Sequence, residues 1–134
     1  MKKLSAEHLV QLHDFVVTET GGHRGIRNRK DLDSVISCIE YPIDRDKMRS
    51  LIYVCAQLFR LIIQKHPFVD GNKRTALAAV LALLERNRYK LKTTDKDIES
   101  FAFKIAKGEV TELDEIEYWI FSRLKKVSKS GEEI

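Results

Sequence analysis

The sequence predicts an all-α protein: a single domain of about six helices gathered round one polar loop. Three observations predict it. Apolar residues recur at i, i+3, i+4 and i+7 in several separate stretches, the spacing of amphipathic helices. Two strongly apolar runs, 51–63 and 76–84, bracket the polar decapeptide His66–Thr75. No alternating apolar–polar run is longer than a few residues, and only two prolines and six glycines interrupt 134 residues.

The elements follow in order. Ser5 is a cap for the first helix, with Glu7 in its first turn. Leu9, Leu12 and Val16, with Phe15 beside them, give that helix its apolar face, and Gly21-Gly22 ends it. His23-Arg24-Gly25-Ile26-Arg27 is a basic, glycine-containing loop, in which Arg24 and Arg27 are candidate contacts for phosphate or an acidic partner. Asn28 caps the second helix, with Leu32, Val35, Ile36 and Ile39 as its stripe. Tyr41-Pro42 stops it, and Asp44 or Asp46 starts the third. That third helix runs to about Lys65, is apolar nearly all round and is therefore central. The fourth begins after Asn72; Ala76, Ala78, Ala79 and Ala82 permit close helix approach, and residues 86–89 end it. Thr94 with Asp97, and Thr111 with Asp114, are capping pairs for two more helices, with Gly108 between them as a C-terminal cap. Ile98, Phe101, Ala102 and Ile105 form one stripe, and Leu113, Ile116, Ile120 and Leu124 the other. Trp119 and Phe121 read as packing residues. The chain from Lys125 is expected to fray.

A chain of this length makes one core. The net charge of +4 is mild and suits an anionic ligand or partner without arguing for nucleic acid, since no basic stripe with interleaved aromatics appears. Cys38 and Cys55 fall on apolar helix faces and read as buried, reduced thiols. The N-terminus does not resemble a secretory leader, and no run is a convincing membrane span, so a cytoplasmic protein is expected. His8, His13 and His23 read as surface or loop residues.

His66-Pro67-Phe68-Val69-Asp70-Gly71-Asn72-Lys73-Arg74 carries the chemistry. Pro67 disfavours helical geometry at His66. Phe68 is an apolar plug that pins the loop, and Asp70-Gly71 is a turn. Gly71 allows a conformation or a close approach that a Cβ would block. Asn72, Lys73 and Arg74 open the next helix, where free amides and the positive dipole end attract anions. Two cations at that end are unfavourable unless an anion offsets them, and Arg binds phosphate bidentately. An aspartate beside bound phosphate calls for an intervening cation, so Asp70 points to Mg²⁺. His66 can take a proton from an attacking hydroxyl. Together these residues read as phosphoryl or nucleotidyl transfer from a nucleotide.

The nonapeptide 66–74 resembles the signature of the Fic/Doc family over all nine positions, and the helical pattern, Gly25-Ile26-Arg27 and the short length resemble its Doc (death-on-curing) branch. Lys73 stands where the adenylylating members carry glycine, and Leu77 where they carry a second arginine. The resemblance implies a Fic/Doc-like domain over residues 1–126, with 127–134 as a tail. It implies a toxin of a toxin–antitoxin pair, using ATP and Mg²⁺ to phosphorylate a translation factor such as elongation factor Tu. His66 would be the base and Asp70 the metal ligand. Gly71, Asn72, Lys73 and Arg74 would meet the phosphates, and the 23–27 loop would be a flap over the site. Ser128 and Glu132 have the spacing of an inhibitory helix of the family, but Glu133 follows and Leu77 removes the arginine partner. Restraint by a separate antitoxin is therefore expected. Adenylyl transfer and a non-catalytic interaction module are the alternative readings.

Overall fold

Ser5 accepts the His8 amide N–H at 3.1 Å while the His8 ring accepts the Ser5 N–H at 3.3 Å, so α1 (Ala6–Thr20) opens with a capping box completed by an imidazole. Gly21, at φ 72°, ends it in the left-handed conformation that glycine adopts without strain. Asn28 accepts the Asp31 N–H at 3.1 Å and starts α2 (Arg29–Glu40). Then come α3 (Lys47–Lys65), α4 (Asn72–Arg86), β1 (Tyr89–Leu91), α5 (Asp95–Ala106), α6 (Leu113–Phe121) and β2 (Leu124–Lys126). The computed structural model describes residues 2–40 and 47–134. The expected stop at Tyr41-Pro42 and the start at Asp44 or Asp46 lie outside the described residues.

Among the described residues the protein is all-α apart from one two-stranded antiparallel ribbon, β1 with β2, in the register Tyr89↔Lys126 to Leu91↔Leu124. Helix α3 is the axis: it packs against α2, α4, α5 and α6. Ten of its residues are buried, Leu58, Phe59, Ile62 and Ile63 completely, which matches its all-round apolar sequence. Helix α4 packs on α3, and its Ala76 and Ala79 are fully buried, small side chains that permit close approach of helix axes. No described helix is long and apolar enough to cross a membrane. Cys55 is buried and Cys38 half-buried; both are free thiols, and burial pushes Cys38 up to about 11 and Cys55 higher still.

Four details differ from the sequence reading. Phe15 is 63% exposed, because the inner face of α1 turns one position further, to His13 and Val17. Thr111 does not cap α6: Glu112 occupies the cap position in extended geometry, with no side-chain cap, and the helix starts one residue later than the pairing implies. Leu124 leaves the helix and enters β2. The stretch expected to fray is tied down by backbone bonds, from Val127 N–H to Arg88 O at 2.8 Å and from Ile134 N–H to Lys126 O at 3.1 Å. Lys90 and Lys92 both meet Glu133, so ion pairs also link the first ribbon strand and its end to the C-terminal residues.

The second half of the core is aromatic. Trp119 stacks on Phe101 at 4.3 Å and nearly parallel, Phe59 meets both edge-on, and the Arg123 guanidinium lies 4.2 Å from the Trp119 ring. Asp97 accepts from Arg123 Nε at 2.6 Å, which holds the guanidinium there and keeps the Asp97 carboxyl below the usual range. Trp119→Ala should therefore lower unfolding free energy by about 3–5 kcal/mol, read from the urea midpoint at unchanged m-value. A loss below about 1 kcal/mol would show that α6 is not held by this stack.

Candidate functional site

The polar decapeptide is the junction of α3 and α4. At the end of α3, His66 takes φ 52°, a left-handed geometry that costs a side chain energy, and Pro67 follows. Arg27 holds this end: its Nε donates to His66 O at 2.6 Å, and its Nη2 donates to Lys65 O. A guanidinium on the last carbonyls also suits the negative end of the helix dipole. Arg24 donates to Thr18 Oγ1 at 3.0 Å. Both arginines of the basic loop are thus bound to the protein's own atoms, and Arg27 in particular serves α3.

The same loop lies alongside the motif as a short antiparallel partner. Ile26 bridges Phe68, the Arg27 and Asn28 amides donate to Pro67 O at 2.8 and 3.2 Å, and the Val69 amide donates to Gly25 O at 3.0 Å. Ile26 and Val69 expose apolar side chains at this edge.

Phe68 is 1% exposed and anchors the loop. Its ring stacks on His13 at 3.8 Å with 10° between planes. His13 Nε2 lies 2.9 Å from Asp70 O; a carbonyl only accepts, so that nitrogen carries the proton. His13 is buried, not the surface residue that its isolation in sequence implied. The usable signal was its place on α1, four residues after Leu9 and three before Val16. Asn72 closes the loop from the other side, accepting the Phe68 N–H at 3.1 Å and donating to Phe68 O at 3.0 Å. Its carboxamide is therefore an orienting group turned to the loop backbone.

Asp70 is exposed, and its carboxylate is ionised readily. The amides of His23, at 3.2 Å, and Gly71, at 2.8 Å, donate to it and hold its carboxyl below the usual range, with Arg74 adding to the effect. A Cβ on Gly22 would sit 2.8 Å from Asp70 Oδ2, so a larger residue there would displace the carboxylate from its present position. Gly71 is left-handed at φ 73°, and a Cβ on it would press on Val17 at 3.1 Å. Beyond it, Lys73 and Arg74 stand exposed on the first turn of α4. Lys73 Nζ lies 5.4 Å from the centre of the half-exposed Phe103 ring of α5. A groove of about 510 Å³ runs there, between Lys73, Arg74, Leu77, Lys96 and Phe103. The His66 ring is exposed, and among the described residues no group bonds it. One loop thus presents a proton acceptor, a carboxylate and two cations at a helix N-terminus, a set suited to moving a phosphorus-centred group.

A family model described as "Fic/DOC family" matches residues 3–84, which span α1 to α4 and the whole motif loop. The chain is also similar to "Protein kinase doc" of Escherichia phage P1, 31% identical over 87 residues, or 65% of this chain and 69% of that protein.

The Asp70 tie is pH-sensitive with a defined sign. Its folded-state pKa is depressed, so the tie is intact above the ordinary carboxylate value and is lost as pH falls through the lower one. The His23 and Gly71 amide resonances should titrate together, with a midpoint below the ordinary carboxylate value. Asp70→Asn should abolish that titration; its persistence in the variant would assign the tie to another group.

Proposed function

The chain belongs to the Fic/DOC family, and on that premise we propose that it is a Doc-like protein kinase that transfers the γ-phosphoryl group of ATP to a hydroxyl of a translation factor, elongation factor Tu being the expected acceptor. In this reading it is a toxin restrained by a separate antitoxin protein, acting in the cytoplasm. The observation that carries the kinase reading is Lys73. Adenylylating members have glycine at this place, where the phosphates lie against the backbone; here a lysine stands at the mouth of the Phe103 groove. It fills the space that the adenylylation pose needs and adds charge where a transferred phosphoryl group accumulates it.

The residues present fit Mg²⁺ and nucleotide. Asp70 is an exposed, ionised oxygen donor held by two amides with lone pairs to spare. Mg²⁺ is commonly held by one or two carboxylates together with substrate phosphates, and bound here it would neutralise phosphate charge. The chain's own part is then defined. Lys73 and Arg74 bind the phosphates at the amide end of α4 and stabilise the charge of the transition state. His66 accepts the proton of the acceptor hydroxyl through its free ring. Asn72, Phe68 and His13 keep the loop in place, and the backbone edge of residues 25–28 positions the target segment beside it. The C-terminal residues pack at the far end of α4, beside Leu81, Leu84 and Glu85. That placement supports the expectation that the chain does not inhibit itself.

Incubation with a cytosolic extract and ATP labelled at the α or the γ position tests the reading. Label from the γ position should reach a protein of the size of elongation factor Tu, and label from the α position should not. The reverse pattern would establish adenylyl transfer and show that Lys73 does not set nucleotide orientation. His66→Ala should lower the transfer rate by about 10²–10⁴ without changing the melting temperature, as expected for an exposed general base.

A further inference from the structure

We propose that the C-terminal end of α4 carries a second anion site, built for a small ligand with several phosphate groups. It lies one helix length from the motif, roughly 20 Å for the 15 residues of α4. Here a pocket of about 450 Å³ is lined by five cations, Lys2, Lys47, Arg86, Arg88 and Lys126, and among the described residues by no carboxylate. They come from the N-terminal segment, the first turn of α3, the end of α4, the turn that follows it and strand β2.

Among the described residues none of the five pairs with an acidic side chain. The ion pairs nearby use Lys90 and Lys92 with Glu133 instead. The Arg86 guanidinium lies 3.3 and 3.1 Å from the two His8 ring nitrogens, a contact that brings no negative charge to it. The end of α4 supplies only about half an elementary negative charge, which offsets a fraction of the five. Five like charges around one concavity repel each other and focus a positive potential into it.

The frame of the pocket is rigid. Asn87 clasps the N-terminal segment, accepting the Lys2 N–H at 2.7 Å and donating to Lys2 O at 2.8 Å. Arg88 sits at φ 61°, where glycine would be unstrained and arginine is not. Its N–H and C=O are both bonded, to Glu85 O at 3.0 Å and from Val127 N–H at 2.8 Å, so the strained turn is locked. A charged side chain therefore stands where conformation alone favours glycine.

The shape selects among anions. A single pocket in the usual volume range for small ligands fits a compact polyanion better than an extended acidic chain. Two guanidiniums at its rim match phosphate oxygens bidentately. Leu51 and the half-buried Tyr89 add an apolar wall, on which a nucleoside could rest.

Calorimetric titration of the full chain with inorganic tripolyphosphate tests the site. Binding should persist in Arg74→Ala, which weakens the motif site, and should weaken about tenfold or more in Arg88→Gly and in Lys126→Gln. Arg88→Gly should melt at the same temperature or higher, so its loss of binding would not reflect unfolding. Tighter binding of ATP than of tripolyphosphate in the Arg74→Ala background would identify a nucleotide site; equal binding would identify a site for the phosphates alone. Unchanged affinity in both Arg88→Gly and Lys126→Gln, or loss of all binding in Arg74→Ala, would overturn the proposal. Displacement of tripolyphosphate by a lower concentration of a short polyglutamate would also overturn it, in favour of an acidic peptide.

Discussion

Burial of the Phe68 ring is the constraint on which the motif loop depends. A loop between two core helices has few side chains to hold it, and its backbone groups need partners. Phe68 fixes the loop at one point in the core, against His13. The polar bonds then follow in short steps: Asn72 on both sides of Phe68, His13 on the next carbonyl but one, and the Gly25–Asn28 edge on Pro67 and Val69. Removing the ring would leave those bonds without a fixed register, and the carboxylate and cations that follow would lose their mutual placement.

The site also depends on charges placed against local preference. Lys73 and Arg74 sit at the positive end of α4, where the dipole disfavours them. Phe103 offers Lys73 a ring face, worth about 0.5–1 kcal/mol at an exposed site, which offsets part of that cost. The remainder is an electrostatic deficit that a phosphate bound there, as proposed, would fill. His66 shows the same pattern in backbone terms. Its left-handed geometry costs energy, and the Arg27 bonds to the two carbonyls at the end of α3 hold it.

Much of this was legible in the sequence, because helix periodicity and caps are local signals. Ser5, Asn28 and Thr94 cap as read, and the all-round apolar run of α3 announced a central helix. The motif was legible because its residues are contiguous. What escaped needed distant partners. His13 carries no local sign of chemistry, and only a packed α1 brings it under Asp70, 57 residues away. Arg27 is a candidate contact in the sequence, and its bonds to the end of α3 show only once that end is placed beside it. The ribbon escaped because three-residue strands have no periodicity to detect, and the five cations at the end of α4 because they lie in separate segments.

In the proposed kinase, the groups that hold the loop are separate from the groups that would act. Phe68, His13, Asn72 and Arg27 spend their bonding capacity on the loop and on α3, and three of the four are shielded from solvent in part or whole. His66, Lys73 and Arg74 are exposed and spend almost none. Truncating a holding residue leaves buried polar groups unpaired or a cavity, so it must lower stability and activity together. Truncating an acting residue removes no such partner, so it can change rate while the fold stays as stable as before. Asp70 belongs to both sets, since its carboxylate ties the 22–23 turn and is also the one carboxylate of the loop. A change there moves geometry and charge at once. Its effect on rate can be read as chemistry only after the position of the His23 turn has been checked.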